Sequence, residues 1–141
     1  MTSRADVIAE ARRWIGTRWS HQGRKFGVGV DCIGLCHEVA RVLGLASGVN
    51  VPATYERTPS NNQILRGCDR HLIRIQRPAL GCLVVMRFQG EPIHMGLIGD
   101  YPLGGFSLIH AYAKARKVEE CRLDETWANR IVACYDLPGV A

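Results

Sequence analysis

The sequence predicts an α+β fold in which N-terminal helices pack on an antiparallel β-sheet. Apolar residues recur at helical spacing in two stretches of the first third, whereas the second half breaks into short β-rich runs separated by Gly, Pro or charge. No internal repeat or linker divides the two halves, so helices and sheet are expected to share one core. At 141 residues the chain suits a single domain over 1–141.

Val7, Ile8, Ala11, Trp14 and Ile15 share one face behind Ser3, a good capping residue, which predicts a helix over 3–15 ended by Gly16. Between 16 and 30 the periodicity lapses, and Gly16, Gly23, Gly27 and Gly29 mark a long surface loop of the kind that often carries function. The helical period returns at Asp31. Cys32, Leu35, Cys36, Val39, Val42 and Leu43 form a broad apolar face, His37, Glu38 and Arg41 take the other, and Gly44 stops the helix. A turn-rich segment over 47–60 and a short helix over 61–67 follow. Strands are predicted at 71–75, 82–88, 94–99, 106–113, 118–123 and 130–137, ordered as a meander.

The composition, 47% hydrophobic and 22% charged, is that of a globular protein. The N-terminus lacks the uninterrupted apolar core of a secretory signal or membrane span, so the protein is expected to be made and folded in cytoplasm with its six cysteines mostly reduced. A formal charge of +5 favours polyanionic surfaces such as an acidic cell wall. The basic residues are scattered without a long run, which argues against a nucleic-acid partner.

Cys32 occupies the first turn of its helix, where unsatisfied N–H groups and the dipole favour thiolate over thiol. Asp31 is placed to cap that helix, leaving the Cys32 N–H for an oxyanion. The alternative is a small apolar core cysteine behind an ordinary cap. A thiolate nucleophile needs a base, and the base needs a partner that fixes its tautomer. A hairpin turning about Pro102 sets His94 directly opposite His110, with Cβ atoms about 5 Å apart on one face; a one-residue slip would part them. Cys32, Cys36 and His37 make a poor metal set, because His37 leaves the cysteine face and no CxxC pair exists. No metal or cofactor is expected.

These residues fall in stretches that resemble the NlpC-type cell-wall cysteine peptidases: ARRWIGTRWSHQGR, GVDCIGL, GCLVVMRF, HMGLIGD and LIHA, over about residues 11–113. The WIGTxW and HQGR pieces resemble the branch found in bacteriophage tails and gene-transfer agents. The resemblance implies a papain-like α+β hydrolase with catalytic Cys32, base His94 and orienting His110. It also implies cleavage of peptidoglycan stem peptides, typically between γ-D-glutamyl and diaminopimelate. Trp19 stands where the family usually has a tyrosine that helps bind the oxyanion, Ile33 replaces a small residue, and Cys82 replaces an acid.

The expected function is a cysteine endopeptidase acting on stem peptides, with Trp19 and Asp31 at the oxyanion or substrate side and phage-tail proteins as partners. It would be delivered to the wall in a phage-like particle. An amidase or acyltransferase on the same scaffold and a non-catalytic tail-assembly module are the alternatives.

Overall fold

The computed structural model describes residues 1–45, 60 and 62–141. Helix α1 (Arg4–Arg13) begins at a reciprocal cap: Ser3 Oγ accepts from the Asp6 N–H at 3.1 Å and Asp6 Oδ2 accepts from the Ser3 N–H at 2.9 Å. The expected loop over 16–30 contains a small hairpin, β1 (Arg24–Lys25) with β2 (Gly29–Val30). It delivers the chain to α2 (Cys32–Val42), which buries Leu35, Cys36 and Val39. Removing a side chain such as Leu35 from this packing would cost about 2–5 kcal/mol.

The turn-rich segment expected over 47–60 lies outside the described residues, Ser60 excepted. Helix α3 (Gln63–His71) runs a turn further than expected, with Ile64 and Cys68 buried four residues apart on one face. His71 therefore ends a helix instead of opening a strand, and β3 spans Ile73–Ile75.

The other strands are β4 (Leu83–Met86), β5 (His94–Asp100), β6 (Phe106–Tyr112), β7 (Lys117–Arg122) and β8 (Ile131–Asp136), with a short helix α4 (Glu125–Ala128) before β8. All pair antiparallel, in the order β3-β8-β4-β5-β6-β7. The meander is broken because β8 returns from the edge strand β7 and inserts between β3 and β4. Asp124 starts that return by capping α4, its Oδ1 accepting from the Trp127 N–H at 2.9 Å.

Alternation along the strands divides the core between two faces. Met95, Leu97, Ile109, Ala111 and Val118 meet Val7, Ala11, Leu35 and Val39 of α1 and α2. Val84, Met86, Ile98 and Leu108 lie together on the other side, against Leu123, Trp127 and Ile131. Arg12 fastens α1 to the sheet through both oxygens of Glu120, at 3.0 and 2.8 Å. No helix among the described residues is long and apolar enough to cross a membrane.

Candidate active site

Asp31 is buried and accepts through both oxygens, Oδ1 from the Gly34 N–H and Oδ2 from the Gln22 N–H, each at 2.7 Å. One carboxylate thus caps α2 and ties the preceding loop to it. A side chain at Gly34 would collide with the Gly23 carbonyl oxygen, so the loop lies directly on the first turn of the helix. These contacts give Asp31 and Gly34 of the DCIG stretch a positioning role around Cys32.

Desolvation, and then the Asp31 charge, push the Cys32 thiol up to about 12, against backbone N–H groups of Met95, Ile33 and Cys32 itself that favour thiolate. The resting sulfur is therefore a protonated thiol. The helix terminus favours thiolate, as expected, and the loss of water works against it.

His94 and His110 meet, in a register two residues from the expected one. Leu97 pairs with Ile109 and Asp100 with Phe106, so the hairpin turns about Leu103 and not Pro102. A shift of two preserves the face. The imidazoles are diagonal neighbours, with His94 Nε2 2.7 Å from His110 Nδ1. A side chain at Gly96 would come within 2.7 Å of Leu108 Cδ1 and 3.0 Å of His110 Cβ, so the glycine makes room for the pair.

Glu119, which the sequence reading did not single out, sits opposite His110 across the β6–β7 ladder, its Oε2 3.0 Å from His110 Nε2. The signal was present in the alternation of VEEC, once the hairpin turns at Lys114 and Ala115. An ionised carboxylate only accepts, so His110 Nε2–H donates to Glu119 and His110 Nδ1 accepts from His94 Nε2–H. His94 Nδ1 is left with the free lone pair.

Phe88, Tyr112 and Trp127 box the two imidazoles. Tyr112 stacks on His110 at 5.2 Å, Trp127 meets it edge-on at 4.9 Å, and Phe88 lies 5.5 Å from His94. Arg130 covers Trp127 at 4.5 Å. In this dry setting burial, then His110 and Arg130, lower His94 to about 3. Burial lowers His110 too, against the pull of Glu119. Both rings are neutral near pH 7, as the tautomer assignment requires.

Cys32 reaches this group through the backbone of β5, at the N–H of Met95, one residue along from His94. Among the described residues no hydrogen bond joins its sulfur to the His94 ring. Trp19 is partly buried against the helix-side core together with Cys32 and Ile33. Its main chain bridges Val30 and donates to the Arg116 carbonyl at 2.9 Å. The arrangement thus offers a partly buried thiol at a helix N-terminus, backbone N–H groups around it, and, one residue along β5 from the Met95 N–H, a neutral base held in one tautomer, which are the parts that acyl transfer requires.

The fold is the papain-like α+β fold of NlpC/p60 domains. The NlpC/p60 domain of the peptidoglycan hydrolase SagA superimposes with a TM-score of 0.68 at 19% identity, covering 96% of this chain and 100% of that one. An NlpC/p60 family protein from Bacillus cereus gives 0.69 at 16% identity, over 96% of this chain and 40% of that protein, so the chain spans about two fifths of it. An N-acetylmuramoyl-L-alanine amidase from Bacteroides uniformis shares the fold at a TM-score of 0.54 and 10% identity, over 94% and 96% of the two chains. No protein-family model matches the sequence, and no curated protein matches it.

Proposed function

We propose that this chain is a single-domain cysteine hydrolase of peptidoglycan, an endopeptidase cutting stem peptides at a γ-D-glutamyl–diaminopimelate type of bond. The observation that carries the reading is the ordered series Glu119, His110, His94, together with Cys32 at the start of α2, whose thiol meets the backbone N–H of Met95, the residue after His94 on β5. His94 Nδ1 takes the thiol proton as sulfur attacks the scissile carbonyl, and returns it to the leaving amine. The thiol is neutral at rest, so its proton passes to His94 as the sulfur attacks and the two events are coupled. The N–H groups at the start of α2 and the Trp19 indole are assigned to the oxyanion. Asp31 caps α2 and holds the loop that carries Trp19, and so keeps the oxyanion side in place. Water then hydrolyses the thioester, with His94 as base again.

The SagA domain, which belongs to a peptidoglycan hydrolase, supports the substrate class, and the net positive charge suits an acidic wall. The WIGTxW and HQGR stretches support delivery to the wall by a phage-like tail, with tail proteins as partners. The amidase from Bacteroides uniformis favours a second reading, cleavage at the lactyl amide on the same scaffold. Digesting purified peptidoglycan and identifying the new termini decides between them. A free diaminopimelate amine marks the endopeptidase, a free L-alanine amine marks the amidase, and undigested wall contradicts both.

A further inference from the structure

His110 Nε2 has a second neighbour besides Glu119. Cys121 follows two residues further along β7, on the same face, with Sγ 3.8 Å from that nitrogen. One ligand atom each from His110, Glu119 and Cys121 can be chosen so that all three lie within 4.8 Å of one another. Imidazole nitrogen, carboxylate oxygen and thiolate sulfur form a donor set that suits zinc, and three protein ligands leave its fourth position open. Bonds of about 2.0 to 2.3 Å to each atom require a modest contraction of the cluster. His110 is wholly buried, while Glu119 and Cys121 are partly buried on an edge strand and keep some contact with solvent, from which an ion can arrive.

We propose that His110, Glu119 and Cys121 form an inhibitory site for a zinc-class divalent cation, whose binding reverses the order of protons along the two histidines. A metal on His110 Nε2 needs the lone pair there, and so the proton must leave that nitrogen. That proton goes to solvent, the His94 Nε2 proton passes to His110 Nδ1, and His94 Nδ1 takes a proton from solvent. The Cys121 thiol loses its proton, giving a net release of one. His94 then presents N–H, not a lone pair, on the nitrogen assigned to the Cys32 proton, and the base is blocked. The inhibitory half rests on the hydrolase reading above. The site and the proton order do not.

The test uses reduced, full-length protein. Cobalt(II), a spectroscopic stand-in for zinc, should give one equivalent of a thiolate-to-metal absorption band, lost in Cys121→Ser and retained in Cys32→Ala. Affinity should fall by about a hundredfold in Cys121→Ser, since a direct ligand matters at least as much as the outer-shell partners of a metal. With zinc, imidazole nitrogen NMR should move the His94 proton from Nε2 to Nδ1. Zinc should halt hydrolysis by the wild type, with recovery on chelation, while Cys121→Ser keeps its basal rate and resists zinc. A band that survives in Cys121→Ser, or that is lost in Cys32→Ala, overturns the site. A His94 proton still on Nε2 in the zinc complex overturns the switch. If the chelated wild type hydrolyses no wall peptide, the hydrolase reading fails, and the band and the NMR spectrum still decide the proposal.

Discussion

Glu119 Oε2 lies 3.0 Å from His110 Nε2, and this contact determines which nitrogen of His94 carries a lone pair. The carboxylate can only accept, so its influence passes through one ring to the next. Glu119 never reaches the thiol, yet it sets the base that would serve Cys32. Replacing Glu119 with Ala should lower kcat by at least about tenfold with little change in KM, as expected for lost orientation of a base. Glu119→Gln, whose amide oxygen can still accept, should recover part of the loss. Equal losses in both variants, with KM rising instead, would make Glu119 a structural residue.

His94→Ala should abolish turnover, while His110→Ala keeps a reduced rate, because the base moves the proton and its neighbour only orients it. Steady-state kinetics on one stem peptide check the order. Wild-type activity in His94→Ala removes His94 from the mechanism.

The His94 pKa is depressed to about 3, and that of His110 is also lowered. The unfolded chain, with histidines near 6.5, therefore binds more protons than the fold between those values. The stabilisation by neutral imidazoles is fully present above pH about 6.5 and drains away as pH falls toward about 3. Melting temperatures across that window should drop for the wild type and drop less steeply for His94→Gln. Parallel curves would contradict the depressed His94.

With burial holding the Cys32 thiol near 12, modification by a small neutral alkylating agent should be slow at pH 7 in the substrate-free protein and accelerate toward high pH. Cys68 and Cys82, each also pushed up to about 12, should not outpace it. Peptide mapping after timed alkylation reads this. Fast labelling of Cys32 at pH 6 would mean that a thiolate exists at rest.

Trp19→Phe keeps most of the apolar bulk and deletes one donor. If the indole serves the oxyanion, kcat falls by up to about a hundredfold with folding intact. An unchanged rate assigns the oxyanion to backbone N–H groups alone.

Much of the site was legible because its signals are local. Helical spacing placed Cys32 at the start of α2, and two strands sixteen residues apart in phase placed His94 and His110 on one face even though the turn lies at Leu103. The even shift preserved the pair. Glu119 was missed because its role depends on a second hairpin, and the insertion of β8 between β3 and β4 is a long-range choice that no local pattern encodes. The surroundings of the Cys32 sulfur were only partly legible for a related reason: a helix terminus is visible in sequence, whereas the water excluded around a sulfur is a property of the packed fold.

The central claim, that Cys32 is the nucleophile of a stem-peptide hydrolase, is tested most directly by mass spectrometry of a defined stem peptide incubated with wild type and with Cys32→Ala. The account predicts two product peptides from the wild type, with a new amine at the cleaved bond, and intact substrate from the variant. Equal cleavage by both proteins, or an intact substrate with folded wild type in the presence of chelator, would contradict it.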